Sequence, residues 1–235
     1  MIAAALGLPF RAASSVRAAR AFHPNGVHFS GTLVRLIPED TGLPLHSCEV
    51  AVRMSKGIGA PSGLPDVAGL ALRLPPAEVG ASPWDVLLAG SATGRFGRMV
   101  PWPSVSWNGA HLSSLMPLKY RGRMWWLRAR VTAPQLGAMD VDDLRSAVRA
   151  DRVSILIEQA CGASTVFEPV AMVHSTALTP AGDEIDAFDP VLNSPAGVRP
   201  QPEWLRAVRV SAYHNSRVGR SAAEPAGHID RGAGR

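Results

Sequence analysis

Cysteine is scarce in this 235-residue chain. Cys48 and Cys161 are the whole supply, too few for a disulfide framework and without metal-ligand spacing. A reducing, cytoplasmic setting is the expectation from that count. Long apolar runs are missing as well, and none approaches the length needed to span a bilayer as a helix. Acidic residues are absent before Glu39, so Met1 to Arg20 reads as Ala, Ser and Arg. That composition fits either an organelle transit peptide or an N-terminal arm. The arm is the preferred reading, because cleavage near Arg20 would cut beside the motif described below. Tyrosine occurs twice, at Tyr120 and Tyr213. There is no internal repeat, and His28, His46, His111, His174, His214 and His228 show no metal-ligand spacing.

What is present supports a folded domain. Apolar residues make up 46% of the chain, ample for a core. The formal charge is +5, which raises the possibility of a nucleic-acid or membrane-surface partner. The arginines are spread along the length rather than bunched, which argues against nucleic acid. Scattered guanidiniums also serve carboxylate ligands, held through two parallel hydrogen bonds.

Short β-type runs dominate. Gly31 to Leu36, Cys48 to Met54, Gly69 to Leu74, Trp84 to Leu88, Arg123 to Val131, Arg152 to Gln159 and Phe167 to Leu178 read as strands. Ser55 to Gly63 is too rich in Gly and Pro for regular structure, and Thr93 to Gly97 reads as a turn. Arg98 to Gly109, with two prolines and two tryptophans, predicts an ordered loop. One short helix is expected over Val141 to Ala150, with acids first and arginines later. Asp186 to Pro202 reads as a crossing loop and Glu203 to Val208 as a short helix. The pattern predicts a mainly β chain with a few helices (α+β), an antiparallel sheet closed into a barrel. One domain is expected over residues 1–220, N-terminal arm included, with a disordered tail over 221–235.

Two stretches carry candidate chemistry. Arg20-Ala21-Phe22-His23-Pro24-Asn25-Gly26 sets a guanidinium and an imidazole three residues apart where the chain turns. Near the other end, Arg209 precedes Tyr213 by four residues, the same face of a helical turn. On the residues alone, His23 reads first as a turn residue and Tyr213 as an ordinary half-buried tyrosine.

Taken in order, these pieces resemble the haem catalase superfamily. Arg20, His23 and Gly26, followed by Gly31-Thr32, look like its distal segment. Val52-Arg53-Met54-Ser55 is similar to its Val-Arg-Phe-Ser block. Gly59, Pro61, Gly63, Asp66, Gly69 and Ala71 resemble the loop and strand that follow, and Trp84-Asp85 its Trp-Asp pair. Ala187-Phe188-Asp189-Pro190 with Asn193, Pro195 and Gly197 looks like the loop before the haem ligand. Arg209, Tyr213, Arg217 and Arg220 resemble the ligand segment. The likeness runs from about Arg20 to Arg220, and the chain looks like a shortened, barrel-only member.

The resemblance implies a catalase-like antiparallel β-barrel binding haem b. Tyr213 would be the iron ligand, its phenol (ordinarily titrating near about 10) ionised by the iron with help from Arg209. His23 would be the distal acid/base, oriented by Ser55. Arg20, Arg53 and Arg220 would hold the propionates, with Arg217 beside them; Asp66 would be a channel acid, and Trp102 would pack on the haem edge. Three departures stand out: Ala89 in place of the distal asparagine, Met54 in place of phenylalanine, and Pro24-Asn25 in place of Ala-Lys. Without the distal amide, the expectation is a peroxidase acting on hydrogen peroxide or an organic hydroperoxide, more than an efficient catalase. The alternatives are a haem lyase or dehydratase on an oxygenated organic substrate, and a haem-free binding module on the same barrel. The partners expected are the peroxide, an electron donor and, loosely, a second copy of the chain; nucleic acid and integral membrane association are not expected.

Overall fold

The computed structural model describes residues 26–202, apart from 184, 186 and 191. Its elements are β1 (Gly26–Arg35), β2 (Cys48–Lys56), β3 (Ala68–Leu74), β4 (Trp84–Gly90), α1 (Gly94–Gly97), β5 (Leu112–Ser113), β6 (Leu118–Tyr120), β7 (Arg123–Ala133), α2 (Val141–Arg149), β8 (Ser154–Cys161), β9 (Glu168–Leu178) and β10 (Arg199–Pro200). Every pairing is antiparallel. The order β1-β2-β3-β4-β5-β7-β8-β9 returns to β1, which closes an eight-stranded barrel. β6 and β10 form a small flap paired to the first residues of β7.

Alternation along each strand decides what lies inside. Phe29, Val52, Leu72 and Val86 face one another across β1 to β4. Leu33, Val173, Ile155 and Val131 do the same across β1, β9, β8 and β7. All eight are buried. Burying each such side chain stabilises by about 1.5–3 kcal/mol, so the barrel interior is core rather than lumen. A ligand of any size therefore belongs on the outer face of the wall or at an end.

One end is sealed by the segment between β1 and β2. Leu43 and Leu45 tuck into it, and the Arg35 guanidinium donates hydrogen bonds to the carbonyls of Ile37, Pro38, Thr41, Leu43 and Leu45. Gln159 Oε1 accepts from the Leu43 amide at 3.0 Å. Gly42 turns this segment with φ +74°, and a Cβ there would lie 2.0 Å from Gln159 Nε2. Gly42→Ala thus combines left-handed strain of about 1–2 kcal/mol with displacement of a buried amide worth about 1 kcal/mol. We expect a loss of about 2–3 kcal/mol in chemical denaturation; a change below half a unit would show that the seal adapts freely.

The helix α2 starts where expected, because the Asp140 carboxylate accepts from the amides of Asp142 and Asp143. Its buried Leu144, Ala147 and Val148 pack toward β9 and β1. Other details differ from the sequence expectation. β2 continues through Ser55 and Lys56, where a loop is expected, because β3 pairs with both residues. The expected turn at Thr93 to Gly97 contains α1. β5, β6 and β10 were not foreseen, being two or three residues long and too short to show a period. The stretches 1–25 and 203–235, with the expected arm, final helix and tail, lie outside the described residues. Among the described residues, no helix is long and apolar enough to cross a membrane.

Candidate functional site

Met54 points into the barrel with no exposed surface, so its neighbours Arg53 and Ser55 face outward. The departure at Met54 therefore concerns core packing and sits on the opposite side of the wall from Arg53 and Ser55. Register builds the rest of this outer face. One row runs Gly26, Ser55, Gly69, Ala89, Ser113, Arg128, Glu158. A second runs His28, Arg53, Ala71, Leu87. Ala89 thus lies two strands from Ser55 in the same row, with Gly69 between them. At strand spacings of about 4.7–4.9 Å, this is a bed of small residues roughly 10 Å across, rimmed by Arg53 and Ser55.

Arg53 leans back over β1. Its Nε donates to His28 Nε2 at 2.9 Å, and a Cβ on Gly26 would meet its Nη2 at 3.2 Å. Sequence reasoning read His28 as structural or exposed; the register of β1 on β2 brings it to this face. Only the pairing could have revealed it, since a lone histidine carries no local signal.

Asp85 is a second hub. On β4 it faces outward between the inward Trp84 and Val86, yet its side chain has no exposed surface. Arg73 clamps it in a two-point contact, Nε to Oδ1 and Nη2 to Oδ2, both 2.6 Å. The Asp189 amide and Asn193 Nδ2 donate to Oδ2 at 2.7 and 2.8 Å, and the Asp85 amide donates to the Asn193 carbonyl at 2.9 Å. Arg73 also donates to the Ala187 carbonyl and lies over the Phe188 ring. Trp84-Asp85 and Ala187-Phe188-Asp189-Pro190, about a hundred positions apart in sequence, are thus tied together by one carboxylate.

Asp66 has a different setting from an open channel acid. Its carboxylate accepts the amides of Ile58, Ala60 and Val67 at 2.7–3.0 Å, and the residue is 1% exposed. It staples the loop that follows β2, and its backbone bridges to Ser104. Trp102 is 60% exposed, its amide bonded to the Gly90 carbonyl at the barrel end. The expected site residues Arg20, His23, Arg209, Tyr213, Arg217 and Arg220 lie outside the described residues.

Charge on the outer wall centres on Glu158. Burial alone would raise its carboxyl, but hydrogen bonds from Arg128 and Arg130 outweigh this and hold it low. Burial, then Arg128 and Arg130, lowers the nearby His111 imidazole, which favours its neutral form. Burial pushes the Cys48 thiol up to about 11, which makes it a poor nucleophile. Among the described residues no group of three or more His, Cys, Asp or Glu is placed to hold a metal ion. No protein-family model matches the chain, and no curated protein matches it.

Proposed function

We propose that the chain is a small catalase-like haem protein that reduces hydrogen peroxide or an organic hydroperoxide at the expense of a one-electron donor. One observation supports this most: Gly26 pairs with Ser55 and His28 with Arg53. The outward Arg53 and Ser55 therefore flank the strand that begins three residues after His23, beside the small residues Gly69, Ala71 and Ala89. The reading seats a flat carboxylate-bearing ring against this bed, with a guanidinium at its rim for a propionate. With the barrel interior filled by core side chains, such a group belongs on the outer face, where Ser55 is only 3% exposed and Gly69 is buried.

In this reading Tyr213 would hold the iron, and Arg209 would favour its phenolate by charge. Arg20, Arg53 and Arg220 would bind the carboxylates, Arg217 would also lie against the cofactor, and Trp102 would cover an edge. Haem, when bound, would supply the redox chemistry that cleavage of the peroxide O–O bond requires. His23 takes the proton from one peroxide oxygen and delivers it to the other, so that one oxygen leaves as water or alcohol. Ser55 orients the imidazole. Two electrons from two donor molecules and two protons balance the reduction. Asp66 takes no part in this scheme, since three backbone amides already occupy its carboxylate.

The rival, a haem-free binding module, has one observation in its favour: Arg53 Nε is already engaged by His28. The visible spectrum of the protein expressed with haem supply separates the two readings. We expect a haem band with a tyrosinate signature in the wild type, and its loss or a changed ligation state in Tyr213→Phe, which removes only the oxygen. A haem spectrum identical in both proteins would reject Tyr213 as the ligand, and a colourless wild type would favour the rival.

A further inference from the structure

A separate feature lies further round the wall, where the 91–111 connection meets β5 and β7. Arg98 is 5% exposed. Its Nη1 and Nη2 donate to the carbonyls of Ser164 and Gly162, and its Cζ lies 4.0 Å from the Trp126 ring centre. Its Nε is buried and has no partner, and the same is true of His111 Nδ1. Both residues line a recess of about 40 Å³, together with Ser113, Arg128 and Thr165. An orphaned buried donor costs about 1–3 kcal/mol, so Arg98 Nε, with the unpartnered His111 Nδ1 on the same recess, points to an absent acceptor.

The charges agree. Arg98, Arg128 and Arg130 stand against the single carboxylate of Glu158, and among the described residues Arg98 has no ion-pair partner. The recess shares Ser91–Thr93 and His111 with a larger open pocket of about 460 Å³, whose outer wall carries Trp102 and Pro103. That volume lies within the usual range for small-molecule sites. The pocket is apolar toward Trp102 and cationic at its inner end.

We infer that this composite pocket binds a small organic acid, with its carboxylate in the recess and a planar apolar body against Trp102. The carboxylate accepts from Arg98 Nε and, in the Nδ1–H tautomer, from His111. It shares Trp102 with the function proposed above, which sets that indole on a haem edge, but its charged end needs neither haem nor the outer face of β1 to β4, so it goes beyond that function.

The test is calorimetric titration of the purified full chain with benzoate, benzyl alcohol and inorganic phosphate. We expect saturable binding of benzoate, at least tenfold weaker binding of benzyl alcohol, and weaker binding of phosphate. Trp102→Ala touches an exposed side chain and should fold normally; it should weaken benzoate by about three- to tenfold, the worth of an aromatic contact. Arg98→Gln removes the orphaned donor together with its charge and should weaken benzoate by about ten- to a hundredfold. Because Arg98 also holds two carbonyls and that variant can fail to fold, His111→Phe serves as a second probe, with a loss of at least threefold expected. Absence of saturable benzoate binding, equal binding of benzyl alcohol, or phosphate binding as tight as benzoate and indifferent to Trp102→Ala would each overturn the inference.

Discussion

Replacing Asp85 with Ala should cost about 3–5 kcal/mol, the range found when one member of a buried ion pair is removed. The change strands the Arg73 guanidinium, the Asp189 amide and the Asn193 side chain at once. Asp189 is buried, whereas Arg73, 26% exposed, and Asn193 reach some water, which places the loss toward the lower end of that range. It also releases the 187–193 segment from the wall of β3 and β4. Asp85→Asn should cost less, because one carbonyl oxygen remains to accept from two of the donors. The double variant Arg73→Met, Asp85→Leu should cost less than the sum of its single changes, since no charge is then left unpaired. Urea denaturation of the four proteins measures this directly. A loss below about 1 kcal/mol in Asp85→Ala would mean that water reaches the cluster and screens it.

The largest effect on activity should come from His23→Ala. On the function proposed above, His23 carries the proton between the two peroxide oxygens, and removing such a group typically costs about 10²–10⁴-fold. Ala89 sharpens the expectation about reaction type. It stands in the row of Ser55 and Gly69 and offers no side-chain donor to position a second peroxide. Donor oxidation should therefore outpace oxygen release. Measuring both in one preparation decides the matter: rapid oxygen evolution, or full activity in His23→Ala, would reject this assignment of roles.

Much of the barrel was legible in the sequence because its strands are long and alternate cleanly. Val52 and Leu72 each occur at period two among polar or small neighbours, and the start of α2 announces itself through Asp142 and Asp143. The first half of β1, with Phe29, instead reads as a turn, and its strand signal begins only at Gly31. The two-residue β5 was not legible, since two residues cannot display a period. Its existence depends on β4 and β7 being close enough to share it. The sites divide the same way. Arg53 and Ser55 could be picked out as a local pattern, and the structure adds that they face outward together. The partnership of Arg53 with His28, the four-donor environment of Asp85 and the orphaned nitrogens of Arg98 and His111 arise between segments far apart in the chain. No local spacing encodes them. Asp66 shows the converse: the family resemblance alone suggested a channel acid, whereas three backbone amides claim its carboxylate.

Barrel closure has a bearing on how the chain is made. β1 spans residues 26–35 and takes its second neighbour from β9, residues 168–178. Ribosomes add about 5–20 residues per second, so one side of β1 waits roughly 7–30 s for its partner to be synthesised. During that interval the open edge of Gly26–Arg35 offers unpaired amides and carbonyls to any other nascent chain. Ser30 and Thr32 leave this edge without a charge between His28 and Arg35. The interval before β9 emerges is therefore when association between nascent copies competes with folding, and slower translation lengthens that exposure.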